Sequence, residues 1–182
     1  MERIRIGLVG AGANTRDRHI PGFLNVEGVV LVSVCNRSIE SSKKVADQFG
    51  IPKVYDNWTE LVGADDTDAI CIGTWPYLHC PMTLAVLEAN KHVLTEARMA
   101  LNIDEARSML DASRTKPNLV AQIVPAPFTL KFDDDMFEIG SPLNKWDETR
   151  LRVYIFVKNL KENIKIKKIK YSFIRRIAKV IK

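Results

Sequence analysis

The sequence predicts an α/β protein built on a doubly wound parallel sheet. Over the first 126 residues, six short apolar segments alternate with segments of helical periodicity. Several of the apolar segments, such as residues 29–34, show almost no polar alternation, which is typical of parallel strands covered on both faces. Strands that alternate with helices predict right-handed crossovers with helices on both sides of the sheet.

Six strands are expected where apolar and β-branched residues cluster between turn residues. The first begins after the N-terminus and ends at a glycine-rich turn, and the sixth follows Pro117. The predicted strands cover residues 4–9, 29–34, 53–55, 68–73, 92–95 and 119–124.

Five helices are expected between these strands, and several of their ends carry recognisable signals. Ser38 can cap the second helix, which Gly50 ends. Asn102 and Glu105 resemble a capping box at the start of the last helix, and Pro117 closes it. The predicted helices cover residues 17–25, 38–49, 57–63 and 76–89, and a fifth begins at residue 102.

The charge is distributed unevenly along the 182 residues. The chain has 27 Lys and Arg, 22 Asp and Glu, and a net charge of +5. Residues 1–132 hold 14 basic and 15 acidic residues, whereas residues 133–182 hold 13 and 7. The basic excess therefore belongs to the last fifty residues, and we do not expect the first domain to bind nucleic acid.

Two further features concern the membrane and the redox compartment. No apolar run approaches the roughly 18 residues that a membrane span needs, so we expect none. The cysteines are Cys35, Cys71 and Cys80, without a CxxC pair, which indicates reduced thiols and a cytoplasmic protein.

The glycine-rich turn GAGANT, residues 10–15, lies between the first strand and a helix. Gly10 permits a tight turn, and Gly12 lets backbone N–H groups approach a pyrophosphate at the helix N-terminus. Thr15 replaces the third glycine of the dinucleotide-binding fingerprint, so an ordinary strand–helix turn is the alternative. In this βαβ context we favour a Rossmann fold that binds a dinucleotide through Gly10, Gly12, Ala13 and Asn14.

The end of the second strand is expected to select the cofactor. A carboxylate there would bind the ribose hydroxyls of NAD, whereas an arginine suits the 2′-phosphate of NADP. The sequence here is Asn36-Arg37-Ser38, which contains no carboxylate. We predict NADP(H), with NAD possible; the alternative is that Arg37 is a solvated loop residue and Ser38 only a helix cap.

A third candidate segment, residues 74–79, follows the fourth strand. Loops at the carboxyl ends of the strands line the ligand crevice of this fold, so Thr74, Pro76 and His79 are expected near the nicotinamide. A purely structural role for Pro76 and His79 is equally compatible with the sequence. His19 and His92 are interpreted as packing residues, and no metal-ligand spacing is present, so we predict no metal site.

These segments together resemble the N-terminal domain of the glucose-fructose oxidoreductase / inositol dehydrogenase / rhizopine catabolism (Gfo/Idh/MocA) family. The resemblance covers about residues 3–131 and rests on the ordered strings GLVGAGANTRDRHIPGF, VCNRS and IGTWPYLHCPMTLAVLEANKHVLTEARMAL. It implies an NAD(P)-binding domain, which a substrate domain follows in intact members of the family. Many of those members oxidise or reduce sugars, inositols and related polyols.

The resemblance also implies site residues. Gly10 and Gly12 match the family's pyrophosphate loop, Asn36 and Arg37 the ribose side, and Pro76 and His79 the loop beside the nicotinamide. Glu96 matches the glutamate of a Glu-Lys-Pro motif, which makes Glu96 and His79 the catalytic candidates. Ala97 replaces the motif lysine, and alanine cannot transfer the alcohol proton, so the assignment as an enzyme is left open.

The C-terminal part departs from the family pattern. Residues 1–126 are assigned to the Rossmann domain, residues 127–157 to a loop or remnant of the second domain, and residues 158–182 to a basic tail. The tail has ten basic residues and one acid and permits a basic amphipathic helix or a strand. An out-of-frame or degenerate extension after a truncation is the favoured interpretation.

The leading prediction is thus a truncated, catalytically impaired dinucleotide-binding domain of an oxidoreductase, which would act on a sugar-like substrate only if a second domain is supplied. The alternative is a non-catalytic binding module whose basic tail contacts an anionic partner. A remnant without function is a third possibility.

Overall fold

The structure, a computed structural model, contains one six-stranded parallel sheet in the order β3-β2-β1-β4-β5-β6. It describes residues 3–124 together with Phe156 and Leu160. The strands are β1 (Ile4–Val9), β2 (Val29–Cys35), β3 (Lys53–Val54), β4 (Ala69–Ile72), β5 (His92–Glu96) and β6 (Ala121–Val124). The predicted α/β class, the parallel sheet and all six strands are confirmed.

Five helices connect the strands, and short turns of other helical types precede α1 and α4. The helices are α1 (Ile20–Leu24), α2 (Ile39–Phe49), α3 (Trp58–Gly63), α4 (His79–Glu88) and α5 (Ile103–Thr115). A π-helical turn, Thr15–His19, leads directly into α1, and a 3₁₀ turn, Pro76–Leu78, leads into α4. The first helical segment therefore begins two residues earlier than predicted.

The predicted helix caps are present. The Ser38 hydroxyl accepts a hydrogen bond from the Ser41 N–H at 3.3 Å, and Gly50 ends α2 with a φ of +66°. The Asn102 side chain accepts from the Glu105 N–H at 2.9 Å. The carboxylate of Glu105 accepts from Leu101 rather than from Asn102 itself. These local bonds satisfy donors that the first helical turn leaves free.

The order of strands places a crevice between β1 and β4. The chain leaves β1 toward β2 on one side and later returns to β4 on the other side of β1. In open α/β sheets, ligands bind at this switch point, outside the carboxyl ends of the strands. The loops after β1, β2, β4 and β5 therefore define the candidate site.

Two buried clusters cover the two faces of the sheet. One cluster contains Leu61 of α3 and Val86 of α4. The other contains Phe23 of α1 and Val45 of α2, and it also includes side chains from every strand except β3. Right-handed crossovers place α1 and α2 beside β1, β2 and β3, which leaves the β4–β6 half of this second face to be covered by something else.

Phe156 and Leu160 belong to this second cluster. Both have helical backbone and 0% exposure, and they share the cluster with Cys71, Leu94 and Val124 of β4, β5 and β6. Residues from beyond the sixth strand therefore complete the apolar cover of the sheet.

The remaining C-terminal predictions, namely the loop at residues 133–148 and the secondary structure of the basic tail, lie outside the described residues. Phe156 falls in the segment expected to be a loop or domain remnant, and Leu160 in the expected tail. Their burial could not be foreseen from the basic, isoleucine-rich composition of that part of the chain.

Candidate functional site

The turn after β1 requires glycine at position 10. Gly10 has a φ of +84°, a backbone conformation that favours glycine. A Cβ at this position would lie 2.8 Å from the carbonyl carbon of Gly73 and 2.6 Å from the Thr74 Cγ2. The turns after β1 and β4 are thus in close contact, and Gly10 allows that approach.

Gly12 has a different environment. A Cβ there would have no heavy atom within 4 Å among the described residues, and its φ lies outside the left-handed region. Protein packing and backbone conformation therefore do not explain a glycine at this position. An open, exposed glycine at the start of the first helical turn fits the close approach of a phosphate group. Ala13 and Asn14 beside it are also exposed.

Thr15 explains how the loop manages without the third glycine. Its side chain is 1% exposed, and its hydroxyl donates to the Gly10 carbonyl at 3.1 Å. A Cβ at Gly73 would lie 2.1 Å from the Thr15 Oγ1. Gly73 follows β4 and has no side chain, so it leaves room for the side chain of Thr15. The loop therefore does not need a glycine at position 15.

Asn36 lies at the carboxyl end of β2 and fixes the loop. Its side-chain oxygen accepts from the Ala11 N–H at 2.6 Å, and its amide nitrogen donates to the Ser41 carbonyl at 3.2 Å. The carbonyl of Cys35 accepts from the Gly10 N–H at 2.9 Å. Asn36 therefore joins the phosphate loop to the first turn of α2, which is a contact that sequence reasoning did not identify.

Arg37 and Ser38 follow directly and are both exposed. The hydroxyl of Ser38 serves as the cap of α2. Among the residues that the structure describes, Arg37 makes no hydrogen bond or ion pair, so its guanidinium is available to an anion at the edge of the crevice.

His79 connects two loops at the carboxyl edge of the sheet. It is 1% exposed, with Nδ1 2.7 Å from the Arg98 carbonyl oxygen and Nε2 3.0 Å from the Thr74 carbonyl oxygen. Both ring nitrogens therefore face acceptors, which holds the turn after β4 against the turn after β5. Pro76 begins the 3₁₀ turn between them and is partly buried.

Glu96 ends β5 and reaches the first helical segment. Its Oε1 lies 2.6 Å from the His19 Nε2 and 2.5 Å from the Asn14 Nδ2. Burial acts to raise the pKa of Glu96, but the hydrogen bonds and charge of His19, together with Asn14, bring it below its ordinary value. Glu96 is thus an ionised, oriented acceptor at the end of β5.

His92 and the three cysteines behave as packing groups. Burial lowers the pKa of His92 to about 4, and its Nδ1 accepts from the Val120 N–H at 2.9 Å. Cys35, Cys71 and Cys80 are buried free thiols, and burial raises the pKa of each. His19 is buried as predicted, but its hydrogen bond to Glu96 gives it a polar role that the sequence did not reveal.

The described residues offer neither a metal-binding cluster nor a membrane-spanning helix. In residues 3–124, Phe156 and Leu160, no three His, Cys, Asp or Glu side chains come together as a group that could hold a metal ion. None of the helices in this part of the chain is long and apolar enough to cross a membrane.

The parallel six-stranded sheet, with a glycine turn at the switch point between β1 and β4, defines a dinucleotide-binding Rossmann domain. The chain belongs to the Gfo/Idh/MocA oxidoreductase family, whose NAD-binding Rossmann fold matches residues 4–123. The resemblance drawn from the sequence is confirmed.

Known proteins of this family align with the same part of the chain. The 1,5-anhydro-D-fructose reductase of Ensifer adhaerens is 38% identical over 110 residues, which are 60% of this chain and 33% of that protein. The inositol 2-dehydrogenase of Azotobacter vinelandii is 29% identical over 147 residues, covering 77% of this chain and 44% of the relative. The matched segment therefore spans a third to less than half of these relatives.

A solved structure shows the same fold. Biliverdin reductase from Synechocystis, in complex with biliverdin and NADP+, superimposes with a TM-score of 0.61 and 28% sequence identity. The match covers 66% of this chain and 37% of that one.

Proposed function

We propose that this chain binds NADP(H) across the carboxyl edge of its sheet, with the pyrophosphate on the loop that contains Gly10, Gly12, Ala13 and Asn14. The open environment of Gly12 carries this proposal, because neither packing nor φ accounts for the glycine. The loop is already held in place by the bond from Ala11 to Asn36, so little ordering is needed on binding.

A preference for NADP(H) over NAD(H) is supported at the end of β2. Residues 35–38 contain no carboxylate to accept from ribose hydroxyls, and Arg37 is exposed without a polar partner among the described residues. A planar guanidinium can donate two parallel hydrogen bonds to a 2′-phosphate. Asn36 and Ser38 support this site by shaping the turn, because their side chains are already used by the protein.

The nicotinamide half is assigned to the loops after β4 and β5. Thr74 and Pro76 would form one wall, which the buried His79 holds in place, and Glu96 would accept hydrogen bonds from donors of the nicotinamide riboside. When bound, NADP(H) supplies or accepts a hydride. A sugar- or polyol-like substrate is suggested by the names of the relatives, which act on an anhydrofructose and on inositol.

We infer that the chain by itself binds the dinucleotide but does not catalyse rapid turnover. Ala97 follows Glu96 where a lysine would handle the substrate proton, and general acid–base catalysis typically contributes 10²- to 10⁴-fold. Glu96 is committed to His19 and Asn14, and His79 is buried between two carbonyl groups. Glu96 is therefore proposed to hold the cofactor and His79 to hold the two loops together, and neither is proposed to exchange protons with a substrate.

A fluorescence titration tests the binding proposal. NADPH emission is followed while the full chain is added, and a saturable change is expected. The absence of any saturable change up to millimolar protein would refute the proposal. A saturable change with a cofactor-dependent thermal shift would support it.

A second candidate function rests on the charge of residues 158–182, with ten basic residues and one acid. In this alternative, a non-catalytic module uses its basic tail to contact an anionic partner. Binding of the full chain to anionic vesicles or DNA should then fall steeply with added salt. Salt-insensitive binding, or none at low ionic strength, would exclude this alternative.

A further inference from the structure

The side chains of His19 and Glu96 form a bridge across the end of β4. His19 belongs to the helical segment that follows β1, and Glu96 is the last residue of β5. Because β4 lies between β1 and β5 in the sheet, the 2.6 Å contact between His19 Nε2 and Glu96 Oε1 spans the crevice floor. It joins the phosphate loop to the opposite, nicotinamide side of the site.

The chemistry of the two side chains determines which atom of the bridge donates and which accepts. Glu96 Oε1 can only accept when ionised, so His19 Nε2 carries the proton, as does the Asn14 amide that shares this oxygen. The other ring nitrogen, Nδ1 of His19, is buried and has no hydrogen-bond partner. Within the described structure, the polar contacts of the ring are thus made by Nε2, which lies 2.6 Å from the carboxylate oxygen and 3.4 Å from the Asn14 Nδ2.

The second carboxylate oxygen has a different environment. Glu96 is partly exposed, with 19% of its side chain accessible, and its Oε2 makes no hydrogen bond within the described part of the chain. His19 therefore holds one oxygen and leaves the other as a fixed acceptor.

We propose that His19 is a positioning residue, which acts by holding Glu96 so that its second oxygen accepts from the nicotinamide half of the bound dinucleotide. This inference rests on the proposed dinucleotide binding and adds a residue that would otherwise be interpreted as packing. It has a specific consequence: loss of the His19 contact should weaken ligands that reach Glu96 and spare ligands that end at the adenosine side.

The test compares two ligands on the full chain. NADPH reaches both halves of the site, whereas adenosine 2′,5′-bisphosphate carries the 2′-phosphate but no nicotinamide. For His19→Leu, the Kd for NADPH should rise on the order of 10- to 100-fold, the size expected for losing a hydrogen bond to a charged group. The Kd for adenosine 2′,5′-bisphosphate should change less than about threefold.

Three further variants separate positioning from a general structural effect. His19→Gln keeps a donor in a similar place and should restore most of the NADPH affinity. His92→Leu removes a partly buried histidine, which accepts from the Val120 N–H near the far edge of the sheet, and should leave the ratio of the two Kd values unchanged. In a Glu96→Ala background, His19→Leu should produce no additional change in that ratio.

The outcomes distinguish this inference from the proposed function. If the unaltered chain binds neither ligand, the dinucleotide proposal itself fails. If it binds both, and His19→Leu weakens both equally or neither, the positioning role is overturned. If His19→Leu does not fold, as judged by circular dichroism, His19→Gln and Glu96→Gln decide the question. His19→Gln must keep the preference of the unaltered chain for NADPH over adenosine 2′,5′-bisphosphate. Glu96→Gln must lose that preference.

Discussion

The ring of Phe156 packs edge-on against the ring of Phe23, with centroids 6.5 Å apart and an interplanar angle of 67°. Both rings have 0% exposure. Phe23 lies within the segment that matches the family, residues 4–123, and Phe156 lies beyond it. A residue from beyond the matched segment therefore belongs to the core of the Rossmann domain.

This contact predicts a large effect of Phe156→Ala on stability. Removing a fully buried aromatic ring leaves a cavity and typically costs about 3–5 kcal/mol. The free energy of unfolding from urea titration should fall by that amount. Tyr77→Ala, at an aromatic residue that is 57% exposed, serves as the control and should change it by less than about 0.5 kcal/mol. Equal effects of the two variants would contradict the core role of Phe156.

Gly10→Ala should destabilise the protein more than Gly50→Ala. Both glycines have positive φ, so each substitution incurs backbone strain of about 1 kcal/mol or more. A Cβ at Gly10 would in addition lie within 3 Å of Gly73 and Thr74, whereas a Cβ at Gly50 would meet nothing within 4 Å. Thermal unfolding should show the larger decrease for Gly10→Ala, and matching decreases would indicate that the two turns are not tightly packed.

The protonation of His92 predicts a pH-dependent stability. Burial lowers its pKa to about 4, although Asp68 acts in the opposite direction. Above pH 6.5 the ring is neutral in both states, and below it the unfolded chain binds the proton first. Stability should therefore be lost as the pH falls from about 6.5 to 4, by on the order of 2–3 kcal/mol.

His92→Asn provides the control for that pH dependence. Asparagine can accept from Val120 N–H but does not titrate, so the difference between the two proteins isolates the histidine from the carboxylates. In urea titrations from pH 4 to 8, the difference in the free energy of unfolding between the unaltered protein and His92→Asn should narrow or change sign at low pH. Parallel curves would refute the neutral buried state of His92.

Arg37→Asp should reverse the cofactor preference. The substitution removes the proposed 2′-phosphate donor and introduces a carboxylate that accepts from ribose hydroxyls. The ratio of Kd for NADPH to Kd for NADH should rise at least tenfold. Arg107→Asp, an exposed arginine on α5, makes the same charge change away from the crevice and should leave the ratio unaltered. If both variants behave alike, Arg37 does not contact the phosphate.

Local patterns in the sequence were sufficient to predict most of the fold. Apolar runs located the strands, and Ser38, Gly50 and Asn102 marked helix ends correctly because each acts on its immediate neighbours. The role of Gly10 followed for the same reason. Such features depend on backbone conformation and short-range bonds, which the order of residue types reveals directly.

The contacts that could not be predicted join residues far apart in sequence. His19 and Glu96 are separated by 77 positions, and the bond from Ala11 to Asn36 by 25. A buried histidine looks the same in a sequence whether it packs or holds a carboxylate. The burial of Phe156 could not be predicted from the local sequence either. It packs against Phe23 because α1 and α2 leave half of that sheet face uncovered, which is a property of the tertiary structure.

A calorimetric titration of NADP+ into the full chain and its Gly12→Ala variant tests most directly whether the loop at Gly12 receives the pyrophosphate of a dinucleotide. The variant should fold with equal or slightly higher stability, because the φ of Gly12 lies outside the left-handed region and a Cβ there meets no atom of the described residues within 4 Å. We expect one site per chain in the unaltered protein and at least tenfold weaker binding in the variant. Equal affinities for NADP+ in the two proteins, or no binding to the unaltered chain, would contradict the assignment.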